Sequence, residues 1–146
     1  MAKFKYRMQN ILDIKMKLES QAKIAYGVAN QKLREEQKTL QELLIRRAGY
    51  EKALKELMTG SIDVKKISHA RSDVNSMKTL VRRQMIAVHK AELEAEEARK
   101  NLNEVMKERK THEILKEKAF EEFKQELKAE ESKEIDQLVS FTYNSK

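Results

Sequence analysis

Thr59-Gly60-Ser61-Ile62-Asp63 decides how this chain folds. It is the one stretch that joins a residue suited to ending a helix with residues suited to starting another. Gly60 can take the positive φ that a helix C-cap requires. Ser61 or Asp63 can accept, through a side-chain oxygen, from the free N–H groups of the next helix. On both sides apolar residues recur at alternating spacings of three and four for dozens of residues, which is the seam of a coiled coil. The expected fold is all-α: a long two-helix antiparallel coiled-coil hairpin with a C-terminal helical overhang. Residues 1–146 form a single hairpin in this reading, with helix 1 at about 4–58, the turn at about 59–63 and helix 2 at about 64–143.

Working outward, the stripe of helix 1 runs Phe4, Met8, Ile11, Lys15, Leu18, Ala22, Ala25, Ala29. It then takes an extra step of four to Leu33 and continues through Glu36, Leu40, Leu43, Arg47, Tyr50, Leu54 and Leu57. Such an inserted four is a stutter, at which the supercoil straightens. Helix 2 reads Ile67, Ala70, Val74, Met77, Val81, Gln84, Val88, Ala91, Ala95, Ala98, Leu102 and Val105. It becomes irregular around Arg109 and His112 and resumes as Leu115, Ala119, Phe123 and Leu127. A bend near residue 61 sets Ala22, Ala25 and Ala29 against the stretch holding Ala91, Ala95 and Ala98, where small side chains let two backbones approach. Helix 2 outruns helix 1, so residues 119–143, with Phe120, Phe123, Leu127, Ile135, Leu138 and Phe141, are expected to lack an intramolecular partner. An unpaired amphipathic stretch of this kind is more often a docking surface, or disordered when free, than a stable solvated helix.

The composition agrees with long helices. The chain has no Pro, no Trp and three Gly; 38% of residues are charged and only 5% aromatic, which suits a coiled coil better than a globular domain. No Cys is present, which removes disulfides, thiol catalysis and zinc–thiolate sites and fits a reducing compartment. Met1-Ala2-Lys3-Phe4-Lys5 lacks the apolar run of a signal peptide, and Leu43-Leu44-Ile45 is far too short to span a membrane. A soluble cytoplasmic protein with no membrane insertion is expected.

The net charge of +7 is unevenly spread. Residues 1–58 carry 13 Lys/Arg against 7 Asp/Glu, residues 59–91 carry 7 against 2, and residues 92–146 carry 11 against 15. The bend is therefore basic and the last segment acidic, which suggests different partners for the two ends. Lys65, Lys66, Arg71, Arg82 and Arg83 could meet phosphates, yet few aromatics are available to stack on bases. An acidic protein surface is the expected partner there, and no nucleic acid is expected.

No catalytic constellation is visible, and no cofactor or metal is implied. Gly27, Gly49 and Gly60 are isolated, so no phosphate-cradling loop exists. His69, His89 and His112 are about twenty residues apart and read as solvated or seam histidines. A two-helix coil offers no concave pocket in which to desolvate a reaction. The chain reads as a non-enzyme.

Phe4-Lys5-Tyr6-Arg7-Met8-Gln9-Asn10-Ile11-Leu12-Asp13-Ile14-Lys15 resembles the opening of the flagellar export FliJ family: aromatic-x-aromatic, then Gln before a pair of aliphatics and a basic residue. The bend near residue 60 and the ending Glu134-Ile135-Asp136-Gln137-Leu138 are similar to that family as well. The resemblance implies a cytoplasmic antiparallel coiled coil, similar to the central stalk of rotary ATPases, in the flagellar type III export apparatus at the inner face of the cell membrane. Its paired ends would insert into the hexameric export ATPase, its outer part would contact the export gate's cytoplasmic domain, and it would handle export chaperones. The positions matching the family's gate surface are Leu43, Tyr50, Met77, Leu80 and Gln84, although Arg46, Arg47 and Asp73 stand where aromatics are expected. Lys3, Lys5 and Arg7, with Glu134 and Asp136, are the candidates for the ATPase contact. A generic self-associating coiled-coil scaffold, and the equivalent stalk of a virulence type III secretion system, stay open as alternatives.

Overall fold

A computed structural model describes residues 3–144. Two helices make up most of them, α1 (Gln9–Leu57) and α2 (Val64–Asn144). The chain divides into two compact units, Ala22–Leu102 and Met1–Gln21 with Asn103–Lys146, so the boundary falls inside both helices.

The unit Ala22–Leu102 holds the turn. At the end of α1 the N–H groups of Met58 and Thr59 donate to the carbonyls of Lys55 and Glu56, each at 3.2 Å. These tighter three-residue closures satisfy carbonyls that would otherwise be orphaned. Gly60 then reverses the chain with φ of 85°, the one positive φ among the described residues. Asp63 rather than Ser61 caps α2: its Oδ1 accepts from the N–H groups of Lys65 at 3.1 Å and Lys66 at 3.4 Å. The Asp63 carbonyl takes the first helical bond, from Ile67 N–H, at 3.0 Å. An antiparallel pair follows. From α2 it buries Val74, Met77, Val81, Val88, Ala91 and Ala95, and Ala22 is buried on α1. Leu33, Leu40, Leu43, Leu54 and Leu57 complete the α1 side, all half-buried, with Glu36 and Arg47 half-buried between them.

The unit Met1–Gln21 with Asn103–Lys146 is a second antiparallel pair, and its core is partly ionic. Leu12 is 3% exposed and Glu19 only 7%. Arg109 of α2 donates to Glu19 through Nε at 2.5 Å and to Glu113 through Nη1 at 2.7 Å. Lys15 pairs with Glu108 at 2.8 Å. In sequence, Lys15–Glu108 here and Lys32–Glu94 and Glu36–Gln84 in the other unit are centred between Gly60 and Asp63. The register is that of a bend beside residue 61, and the all-α antiparallel hairpin is the fold observed.

Three details differ from the sequence reading. First, α1 starts at Gln9, not near residue 4. Lys3–Tyr6 has no regular secondary structure, and Gln9 N–H closes a turn onto the Tyr6 carbonyl at 3.1 Å. Second, the α1 seam lies one residue along from Met8, Ile11, Leu18 and Ala25. Those four are exposed, while Gln9, Leu12, Glu19 and Tyr26 are covered. Taken through Leu12, Lys15, Glu19, Ala22, Tyr26, Ala29 and Leu33, the three-four spacing never breaks, and the expected stutter disappears. The cause is chemical: Glu19 sits inside because Arg109 neutralises it, so apolarity alone pointed to Leu18. The same holds on α2, where Arg109, His112 and Lys116 occupy the seam and Leu115 is 44% exposed.

Third, Phe120 and Phe123 are not unpartnered. Phe4 packs on both, with ring centroids 5.0 and 5.5 Å apart in tilted arrangements. The uncovered part of α2 begins after Leu127, and every residue from 128 to 144 is exposed.

Candidate partner-binding surfaces

The aromatic-x-aromatic opening has a local explanation. Burial alternates along residues 3–7. Phe4 and Tyr6 are half-buried, while Lys3, Lys5 and Arg7 between and beside them are exposed. Two aromatics thus hold the segment down and present three cations to solvent. A shallow groove forms where this segment meets Ala119, Glu122, Phe123 and Glu126 of α2. Glu122 and Glu126, absent from the sequence-based candidates, are the acidic groups that border the three cations.

Glu134 and Asp136 belong to the same unit but lie further along α2, about 12 Å past Glu126 at roughly 1.5 Å per residue. Both are exposed. Glu134 lines a groove with Gln137, Leu138 and Phe141. Leu138, Val139, Thr142 and Tyr143 line another. Leu138 and Phe141 are 66% and 73% exposed. The basic triple and the acidic pair therefore form two separate surfaces of one unit.

Around the bend the five candidates divide by accessibility. Tyr50 and Leu80 are 38% and 40% exposed, whereas Met77 is 4% exposed and packed in the seam. Leu43 is half-buried. Gln84 is engaged with α1, its Nε2 donating to the Glu36 carbonyl at 2.9 Å and carboxylate at 2.6 Å. Tyr50 also lines a shallow groove with Leu57, Lys65, Lys66, Ala70 and Asp73.

The electrostatics are those of paired surface charges. The hydrogen bond from Lys15, with its charge, holds the Glu108 carboxyl below the usual carboxylate range. Hydrogen bonding to Glu19 raises the Arg109 guanidinium pKa further. Arg99 lowers Glu96 in the same way along one turn of α2. Among the described residues two buried polar atoms, Tyr6 Oη and His112 Nδ1, have no hydrogen-bond partner.

Among the described residues no group of three or more His, Cys, Asp or Glu is arranged to hold a metal ion. No helix is long and apolar enough to cross a membrane. Searches among curated proteins and among solved structures give no significant match. The family model described as the flagellar FliJ protein, in contrast, matches residues 4–146, nearly the whole chain from the clasped Phe4 onward, and the chain belongs to the FliJ family of flagellar export-associated proteins.

Proposed function

We propose that this chain is a non-enzymatic stalk in the flagellar type III export apparatus, on the cytoplasmic side of the cell membrane. Its paired ends enter the hexameric export ATPase, and the region near the bend contacts the cytoplasmic domain of the export gate. The observation that carries this reading is the N-terminal clasp. Phe4, seated on Phe120 and Phe123, fixes Lys3, Lys5 and Arg7 outward on the unit that also bears the uncovered stretch 128–144. An apolar anchor ringed by cations, followed by an exposed acidic amphipathic helix with Glu134 and Asp136, gives a partner two chemically distinct contacts. Near the bend, Tyr50 and Leu80 are the accessible candidates for the gate, while Met77 is packed in the seam, Gln84 is engaged with Glu36, and Leu43 is half-buried.

The test uses the purified export ATPase and the full chain. Stimulated ATP hydrolysis and hexamer formation are expected, reduced by charge reversal at Lys3, Lys5 and Arg7 together. Tyr50→Ala with Leu80→Ala should weaken capture of the gate domain while leaving ATPase stimulation intact. No stimulation at micromolar protein sinks the stalk assignment. Binding of export chaperones is read in the same pull-down.

A second reading is self-association through the uncovered stretch, favoured by the exposure of Ile135, Leu138 and Phe141. Sedimentation equilibrium of the full chain and of Leu138→Asp/Phe141→Asp separates the two: a monomer in both cases ends the scaffold reading.

A further inference from the structure

The tip of the bend carries an apolar surface that neither seam nor groove uses. Met58, Ile62 and Val64 are 45%, 66% and 76% exposed. None of them lines the groove beside Tyr50. They flank Gly60 at the reversal, and among the described residues nothing covers them. Lys55 closes the last turn of α1. Lys65 and Lys66 open α2, with Lys52 and Arg71 one to two turns behind on either side. The only acidic residues between 52 and 71 are Glu56 and Asp63, and Asp63 is occupied with the N–H groups of Lys65 and Lys66. The bend thus combines three exposed aliphatic side chains with five cations and two acidic residues between positions 52 and 71.

We infer that this tip docks on an anionic lipid surface, with Ile62, Val64 and Met58 entering the headgroup boundary and Lys52, Lys55, Lys65, Lys66 and Arg71 meeting lipid phosphates. Charge complementarity requires an anionic occupant, and the side-chain types choose between the two available. Protein interfaces favour aromatics and Arg and are depleted in Lys. No aromatic residue lies between 51 and 72, and four of the five cations are lysines. Aliphatics beside lysines are the pattern of peripheral membrane contacts. The three aliphatic side chains line no groove, so a deformable surface can take them up, whereas a folded partner would find the Tyr50 groove first. No helix crosses the membrane in this arrangement; only turn side chains reach it. It would hold the bend against the membrane independently of any contact with the export gate.

The chain lacks Trp, so one introduced residue reports alone. The full chain carrying Ile62→Trp is mixed with vesicles of phosphatidylcholine, with or without phosphatidylglycerol. A blue-shifted emission is expected only with the anionic vesicles and fades as salt is raised. Ile86→Trp, at an exposed site about 35 Å along α2, is expected to show no shift. Adding Lys65→Glu and Lys66→Glu should weaken binding roughly 25-fold or more, at about fivefold for each lysine removed from an anionic surface. Val64→Ser with Ile62→Ser should reduce flotation with the vesicles by about tenfold, since the buried apolar area is lost while the charge is kept. All these positions are exposed, and circular dichroism checks that helix content is unchanged. Three results overturn the inference: no shift at residue 62, an equal shift at residue 86, or flotation indifferent to Ile62 and Val64. A shift produced instead by polyglutamate and not by vesicles would make the tip an acidic-protein site.

Discussion

Arg109 donates to Glu19 across ninety residues of sequence, through Nε at 2.5 Å and Nη2 at 3.4 Å, and so places a carboxylate in the seam at 7% exposure. A buried ion pair adds little to stability relative to apolar residues of similar size, but removal of one partner leaves the other's charge less compensated in the seam. Glu19→Leu and Arg109→Leu should each lower the thermal midpoint by several degrees. The double variant should unfold above both singles and near the unaltered chain. Circular dichroism melts of all four proteins form the cycle, and additive losses would show that the pair is not coupled.

The pair between Lys15 and Glu108 sets a pH dependence. Glu108 has a folded pKa below its unfolded one because Lys15 hydrogen-bonds to its carboxylate. The unfolded chain therefore takes up the proton first as pH falls. The stabilisation is present above the unfolded carboxylate pKa and is lost as pH drops through the folded value. Acid titration of the melting midpoint should show this loss. In Lys15→Met the midpoint should depend less steeply on pH across the carboxylate range, with little difference from the unaltered chain below it.

How much of this was readable from the residues depends on how local each signal is. Gly60 and Asp63 act within a few residues, so the turn and its cap were legible, though not the choice between Ser61 and Asp63. The seam of α2 was legible from Ile67 to Val105 because its positions are almost all apolar. In the seam of α1 before Ala29, Lys15 and Ala22 were placed correctly, but Met8, Ile11, Leu18 and Ala25 were one residue off because the inside positions include Glu19, whose partner Arg109 is ninety residues away. Phe4 and Tyr6 have a period of two over too few residues to announce a non-helical segment. The surfaces followed the same logic: once the phase is fixed, Met77 falls inside and Leu80 outside, a distinction invisible to a resemblance based on spacing.

The N-terminal clasp can be loosened without touching either helix. Phe4→Ala removes a half-buried ring and two aromatic contacts, which together contribute about 2 kcal/mol. Helix content should be unchanged, while protease cleavage after Lys5 and Arg7 should accelerate severalfold. Tyr6→Phe should do the opposite or nothing. The Tyr6 hydroxyl is buried without a partner, so deleting it should be neutral or stabilising by up to about 1 kcal/mol. A large loss in Tyr6→Phe would reveal a bond to that oxygen.

Gly27 and Gly60 answer the same substitution with opposite signs. Gly60 sits at φ of 85°, where a Cβ crowds the following carbonyl. Gly60→Ala should destabilise the bend by about 1 kcal/mol, and Gly60→Asn by less. Gly27 lies mid-helix in α1, and an added Cβ there meets nothing within 4 Å. Gly27→Ala should stabilise by about 1 kcal/mol through improved helix propensity and a less flexible unfolded chain. Urea melts of the two variants at equal slope give the comparison directly. Destabilisation by Gly27→Ala would mean that the open face of α1 at that position is occupied by another molecule in solution, since no contact within the described chain could oppose the methyl group.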